Sequence, residues 1–109
     1  MDENVSEEKI SQMREKMEAV LTLSRAPSQF VVFYHLLETG RTMSVKELAT
    51  ELSLTPKATE RAVAKLYDKG LIQRASFRQR SYTCDSKQIL LGLLLLAMEQ
   101  QERLDKLAK

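Results

Sequence analysis

The sequence predicts a mainly α-helical domain with one small β-hairpin. Three observations carry that expectation. Apolar residues recur at three- and four-residue spacing up to residue 69 and again after 85, the period of amphipathic helices. Only between residues 71 and 84 does the period shorten to two, as in paired strands. Helix-capping residues stand where the helical stretches begin. A length of 109 residues fits a single domain, 1–109.

The elements follow in order. Residues 6–24 form an amphipathic helix, N-capped by Ser6, with Glu7 and Glu8 in the first turn and Ile10, Met13, Met17, Val20 and Leu21 as its apolar stripe. Pro27 breaks the chain. Ser28 can cap a second helix through Phe30, Val31, Phe33, Tyr34, Leu36 and Leu37, which stops near Gly40. That helix is apolar over much of its circumference and should be central. Ser44-Val45-Lys46-Glu47 is a capping box, in which serine and glutamate satisfy each other's backbone N–H. It opens a short helix with Leu48, Ala49 and Leu52 inward. A tight turn at Ser53-Leu54 leads to Thr55-Pro56, an N-cap followed by proline at the first helical position. The helix so opened buries Ala62, Val63 and Leu66 and ends at Lys69-Gly70, with Gly suited to a left-handed C′ position. Strands at 71–76 and 81–84 flank a tip, Phe77-Arg78-Gln79-Arg80, that contains no Gly or Pro. Asp85 or Ser86 caps a last helix at 86–107. Residues 44–69 thus read as a helix-turn-helix and 71–84 as its wing.

Composition excludes several functions. One cysteine cannot build a disulfide framework or a structural zinc site. One histidine and three glycines leave no His-rich metal site and no P-loop, so neither metal nor cofactor is expected. No nucleophile–base pair or paired carboxylates stand out, which leaves catalysis without support. The first 25 residues contain no secretory-type apolar stretch, and the longest apolar run, Ile89 to Met98, is too short to cross a bilayer. A cytoplasmic, nucleoid-associated protein is expected. The net charge of +2 hides an asymmetry: residues 1–24 carry −3 and residues 55–82 carry +5.

Three phrases resemble a known family. They are Leu48-Ala49-x-x-Leu52-Ser53-Leu54-Thr55, Ala62-Val63-x-x-Leu66 and Lys69-Gly70-Leu71-Ile72-x-Arg74. Together they are similar to the winged helix-turn-helix of MarR- and TrmB-type transcriptional regulators, above all the small archaeal single-domain members. Tyr82-Thr83-Cys84 resembles the end of their wing. The resemblance covers residues 28–84. It implies a homodimer on pseudo-palindromic double-stranded DNA, with the recognition helix in the major groove and the wing at the adjacent minor groove. The wing here is short and lacks the Asp-Arg pair common in MarR proteins, and nothing resembles the sugar-binding domain of long TrmB proteins. A sugar effector is therefore not supported, and the sequence does not identify any other small-molecule effector.

The candidate DNA-binding residues are Thr55, Lys57, Glu60, Arg61, Lys65, Arg74, Arg78, Gln79 and Arg80. With Ala62, Val63 and Leu66 inward, Lys57, Arg61, Lys65 and Asp68 share the outward face of their helix. Lys57 and Arg61 lie in the turns that reach base edges, and Arg61 is suited to bidentate contact with guanine. Thr55 and the helix N-terminus suit a phosphate, as does Lys65. Glu60 either accepts from cytosine or pairs with a neighbouring base. Arg78 and Arg80 occupy the tip, with no acid between Asp68 and Asp85 to neutralise them. Arg74 either contacts DNA or supports the hairpin through a carboxylate.

The flanking helices read as a dimer interface. Ile89, Leu90, Leu91, Leu93, Leu94, Leu95, Leu96 and Met98 cover every side of the last helix, and a helix apolar all round is buried all round. The candidate interface is Ile10, Met13, Met17, Val20, Leu90, Leu91, Leu94, Leu95 and Met98, in a two-fold dimer. The alternative is a helical pair within one chain. Cys84 reads as a buried, inert thiol rather than a redox sensor, and His35 as packed or half-exposed. Two other functions remain open at this stage: a low-specificity chromatin-like DNA-binding protein, and a winged helix used as a protein-interaction module.

Overall fold

The computed structural model describes residues 3–108, with side chains from residue 7 onward. Asp2 and the side chains of Glu3 and Ser6, parts of the acidic arm and its expected cap, lie outside the described residues. The elements are α1 (Glu3–Thr22), a 3₁₀ turn (Leu23–Arg25), α2 (Pro27–Thr39), β1 (Met43–Ser44), α3 (Val45–Leu52), α4 (Pro56–Asp68), β2 (Gln73–Arg74), β3 (Ser81–Thr83) and α5 (Ser86–Leu107). This is the expected mainly α fold with a small wing.

The local rules explain most boundaries. Ser44 Oγ accepts from the Glu47 N–H at 3.1 Å, and Glu47 Oε1 accepts from the Ser44 N–H at 3.0 Å, completing the capping box of α3. Thr55 Oγ1 accepts from the Ala58 N–H and opens α4, with Pro56 at its start. Asp85 caps α5 by accepting from the N–H groups of Lys87 and Gln88. The turn between α3 and α4 puts Ser53 at φ 56°, left-handed without being glycine.

Four expectations change. Helix α1 begins at Glu3, so Ser6 lies within it rather than capping it. Helix α2 starts at Pro27 with Ala26 as N-cap and no side-chain cap bond, so Ser28 is not the cap; the proline ring presets φ and its missing N–H costs nothing there. The strands of the wing are shorter than expected, because Leu71 and Ile72 are buried in the core before β2 begins. The sheet also has a third strand, with order β1-β3-β2, Met43 opposite Tyr82 and Ser44 opposite Ser81.

The core gathers one face from each helix, with Met17 of α1, Leu23, Val32, Phe33, Leu36, Met43, Leu48, Ala62, Val63, Leu66, Leu71, Ile72, Cys84 and Ile89 of α5. Helix α2 packs against α4, the 3₁₀ turn and α3. Its Phe30, Val31 and Tyr34 are exposed, so it is less central than its composition implies. Helices α1 and α5 pack on each other. They approach closely at Gly92, where a β-carbon would lie 2.9 Å from Met17 Cγ and Cε. An Arg14–Glu99 ion pair and a 3.0 Å hydrogen bond from Lys16 Nζ to Gln88 Oε1 join the same helices.

Gly92 sets up a contest of magnitudes. Alanine would gain about 0.5–1 kcal/mol of helix propensity and lose about 1–3 kcal/mol by overpacking against Met17. Gly92→Ala is therefore expected to destabilise the fold by about 1 kcal/mol, measured by urea unfolding at fixed protein concentration. Greater stability in the variant would show that Met17 yields freely.

Candidate nucleic-acid interface

Helix α4 is fixed by its inner face. Ala62, Val63 and Leu66 are buried, as is Thr59, whose hydroxyl donates to the Thr55 carbonyl at 2.8 Å. Thr55, Lys57, Glu60, Arg61 and Lys65 are all exposed. Among the described residues, Lys57, Glu60, Arg61 and Lys65 enter no ion pair within 4.0 Å. An exposed, unpaired base keeps its full charge and all its donors for an anion.

The candidate residues divide between two surfaces. A groove of 990 Å³ runs between α3, α4 and the wing, lined among others by Lys46, Glu60, Ala64, Tyr67, Asp68, Arg74, Arg80 and Tyr82. Lys57, Arg61 and Lys65 are outside that lining and form the solvent face of α4. Glu60 and Asp68 thus share the wing-side groove with Arg74 and Arg80. Asp68, eleven residues beyond Lys57 and so at nearly the same angle around α4, lies where the two surfaces meet.

The wing arginines differ from one another. The guanidinium carbon of Arg74 lies 4.7 Å from the Tyr67 ring centroid, a cation–π contact, and Tyr67 meets Tyr82 edge-on at 6.4 Å. An aromatic stack, not a carboxylate, supports Arg74. Arg78 is not unneutralised: its Nη2 lies 2.6 Å from Glu47 Oε1, and Nη1 donates to the Thr42 carbonyl at 3.4 Å. The missing acid comes from α3, far away in sequence. The Glu47 carboxyl is held below its usual range by hydrogen bonds from Ser44 first, and by Arg78 after that. Arg80 adopts φ 53°, supplying the left-handed turn residue that the tip lacks as glycine. Gln79 is exposed, and its carbonyl accepts from Ser81 Oγ at 3.3 Å. Sequence reasoning missed Glu47, Tyr67 and Phe77, an aromatic at the wing tip that is 79% exposed. Tyr67 and Phe77 carried a local signal as aromatics within the basic segment 55–82, whereas Glu47 was legible only as a capping residue.

The terminal helices also sort their apolar residues. Met17 is 2% exposed and packs within its own chain, so it is not available to a partner. Gly92 makes room for it. Ile10 is exposed, while Met13 and Val20 are half-buried. On α5, Ile89 and Gly92 face inward and Leu96 packs on the core. Leu90, Leu91, Leu93, Leu94 and Met98 are 45–64% exposed, and Leu95 is half-buried. One chain therefore leaves a run of leucines uncovered.

Glu51 and Cys84 also have defined partners. Glu51 accepts from Arg41 Nη1 and bonds His35 Nε2, both at 3.1 Å; Arg41 and then His35 hold its carboxyl below the usual range. Cys84 is buried, its Sγ donating to the Leu71 carbonyl at 3.6 Å, and burial pushes the thiol up to about 11. Reagents need the thiolate. Cys84 is expected to resist DTNB in the native protein at neutral pH and to react at once in denaturant; rapid native labelling would reject a buried, inert thiol. Among the described residues, no group of three or more His, Cys, Asp or Glu could hold a metal ion, and no helix is long and apolar enough to cross a membrane.

Comparison with known proteins gives the fold a family context. No curated protein matches the sequence. Two solved structures are similar. ZitR of Lactococcus lactis, in apo form, aligns with a TM-score of 0.50 and 17% identity over 99% of this chain and 80% of that one. A MarR family protein of Mycobacterium tuberculosis aligns with a TM-score of 0.49 and 24% identity over 89% of this chain and 86% of that one. The likeness to ZitR shows a shared fold. The family model that matches is that of the MarR family, over residues 26–76, from the start of α2 through α3, α4 and β2. Residues 26–76, which form α2, the helix-turn-helix of α3 and α4, and β2, are thus similar to the MarR family.

Proposed function

We propose that the protein is a homodimeric transcriptional regulator that binds specific sequences in double-stranded DNA. The observation that carries this reading is the solvent face of α4. Lys57, Arg61 and Lys65 stand exposed there, and among the described residues none of them is paired with an acid. Helix α4 is the second helix of the helix-turn-helix, the element that enters the major groove. Arg61 would read a base edge and Lys57 would assist it. Thr55, the α4 N-terminus and Lys65 would take phosphates. Arg74, Arg78, Gln79 and Arg80 would meet the adjoining backbone and minor groove, and Glu60 would accept from a base edge beside them.

Dimerisation follows from α5. Leu90, Leu94 and Met98 lie at four-residue spacing, so they make one exposed stripe, and Leu91 and Leu93 flank it. A contiguous apolar surface of this kind is a protein contact site. A second copy would bury it around a two-fold axis and bring two α4 helices about 34 Å apart, one turn of DNA.

Selection of bound duplexes from a random pool tests the reading. The expected result is a two-fold symmetric motif bound at least about 10³ times more tightly than random DNA. With about eight phosphate contacts in the dimer, log K should fall with log salt at a slope near −7. Equal affinity for selected and random DNA would reject a regulator in favour of a chromatin-like role. No salt-sensitive DNA binding at all would reject both.

A further inference from the structure

We propose that Glu47 is a positioning residue for the wing, holding Arg78 in the orientation in which it meets the DNA backbone. The inference rests on the DNA-binding reading above. It goes beyond it by giving an acidic residue of α3 a favourable part in binding a polyanion.

The geometry makes Glu47 a fixed point. Its Oε1 accepts from the Ser44 N–H at 3.0 Å, and its own N–H donates to Ser44 Oγ at 3.1 Å. A glutamate in a completed capping box has little rotamer freedom left. The same Oε1 lies 2.6 Å from Arg78 Nη2. A second anchor, the Thr42 carbonyl, accepts from Nη1 at 3.4 Å. Both anchors flank β1, which pairs with β3 on the far side of the wing tip. The tip is therefore tied to the helix-turn-helix at two places: through the sheet after residue 80, and through Arg78 within the tip.

Arg78 is nevertheless 46% exposed. A guanidinium has five N–H donors, and two anchors leave the remainder free for an oxygen of phosphate. Two effects of Glu47 then oppose each other. Its charge repels phosphate, but that charge is compensated by Arg78 at 2.6 Å, and salt screens what remains. Its hold on Arg78 removes in advance the freedom that a long side chain on an unbraced loop would lose on binding. The second effect acts on the contact itself and should win.

A double-mutant cycle on DNA affinity separates these effects, using a duplex selected by the wild-type protein. Glutamine preserves the capping box, so Glu47→Gln should leave the thermal midpoint nearly unchanged. It should weaken binding about threefold, the scale of an exposed ion pair. Arg78→Ala should weaken binding about tenfold, the scale of a charge-assisted hydrogen bond. In the Arg78→Ala background, Glu47→Gln should cost nothing further or tighten binding slightly, because only the repulsion is left to remove. A merely structural role would weaken both backgrounds alike, so losses that multiply would overturn the proposal. Tighter binding by Glu47→Gln alone would also overturn it, since Glu47 would then be holding Arg78 away from DNA. Failure of the wild-type protein to bind any duplex would overturn the DNA-binding reading and this inference together; wild-type binding with multiplying losses overturns this inference only.

Discussion

Replacing Leu94 with glutamate is expected to leave a folded monomer that binds DNA weakly. Leu94 is 53% exposed on the single chain, so a carboxylate there stays hydrated and costs the fold little. In a dimer built on the Leu90, Leu94 and Met98 stripe, the same carboxylate and its symmetry mate would be buried together. Burying an unpaired charge costs several kcal/mol, more than one leucine contributes to an interface. Sedimentation should therefore show the mass of one chain, with the helical circular dichroism retained. The effect on DNA is larger still. A dimer binds its second half-site at an effective concentration set by geometry, so loss of the partner should lower affinity by about 10²–10⁴. An intact Leu94→Glu dimer would place the interface elsewhere, with the exposed Phe30, Val31 and Tyr34 of α2 as the next surface to test.

Arg61→Ala is expected to relax base preference at one position in each half-site. Arg61 is exposed in the second turn of α4 and, among the described residues, has no ion-pair partner. Truncating it removes nothing the fold uses, and alanine is a good helix former. Any change in affinity then reports on DNA. A bidentate guanine contact is worth about 1–3 kcal/mol of discrimination, or roughly 5- to 150-fold. Against a non-specific duplex the loss should be much smaller, since only one charge is removed. Selection from a random pool should return the wild-type motif with two symmetric positions degenerate. An unchanged motif would show that α4 is placed wrongly in the groove, and the wing-side groove holding Glu60, Arg74 and Arg80 would then be the reading surface.

Legibility from sequence followed the range of the forces involved. The capping box at Ser44 and Glu47, the Thr55-Pro56 start of α4 and the Asp85 cap of α5 involve residues three or fewer apart, and each stands where expected. The second helix was harder to place. Proline at the first position competes with a serine cap one residue later, and Pro27 prevails because it needs no partner. The third strand was invisible, since a two-residue segment such as Met43–Ser44 has no period of its own and is defined only by pairing with β3. The leucine run misled in part. Eight apolar residues suggest burial on every side, yet only Ile89 is fully buried, Leu95 and Leu96 are half-buried, and Leu90, Leu91, Leu93, Leu94 and Met98 face out.

The sequence by itself determined the order of helices and wing, the inward face of α4 and the basic character of residues 55–82. These depend on periodicity, capping and charge, which are local. Only the tertiary structure decided which charges remain free. Arg78 meets Glu47 across 31 positions of sequence, Arg74 lies over Tyr67, and Met17 fills the space left by Gly92. Contacts between distant residues depend on how whole elements dock, and docking is settled by the shape of the shared core, which no short stretch of the chain contains.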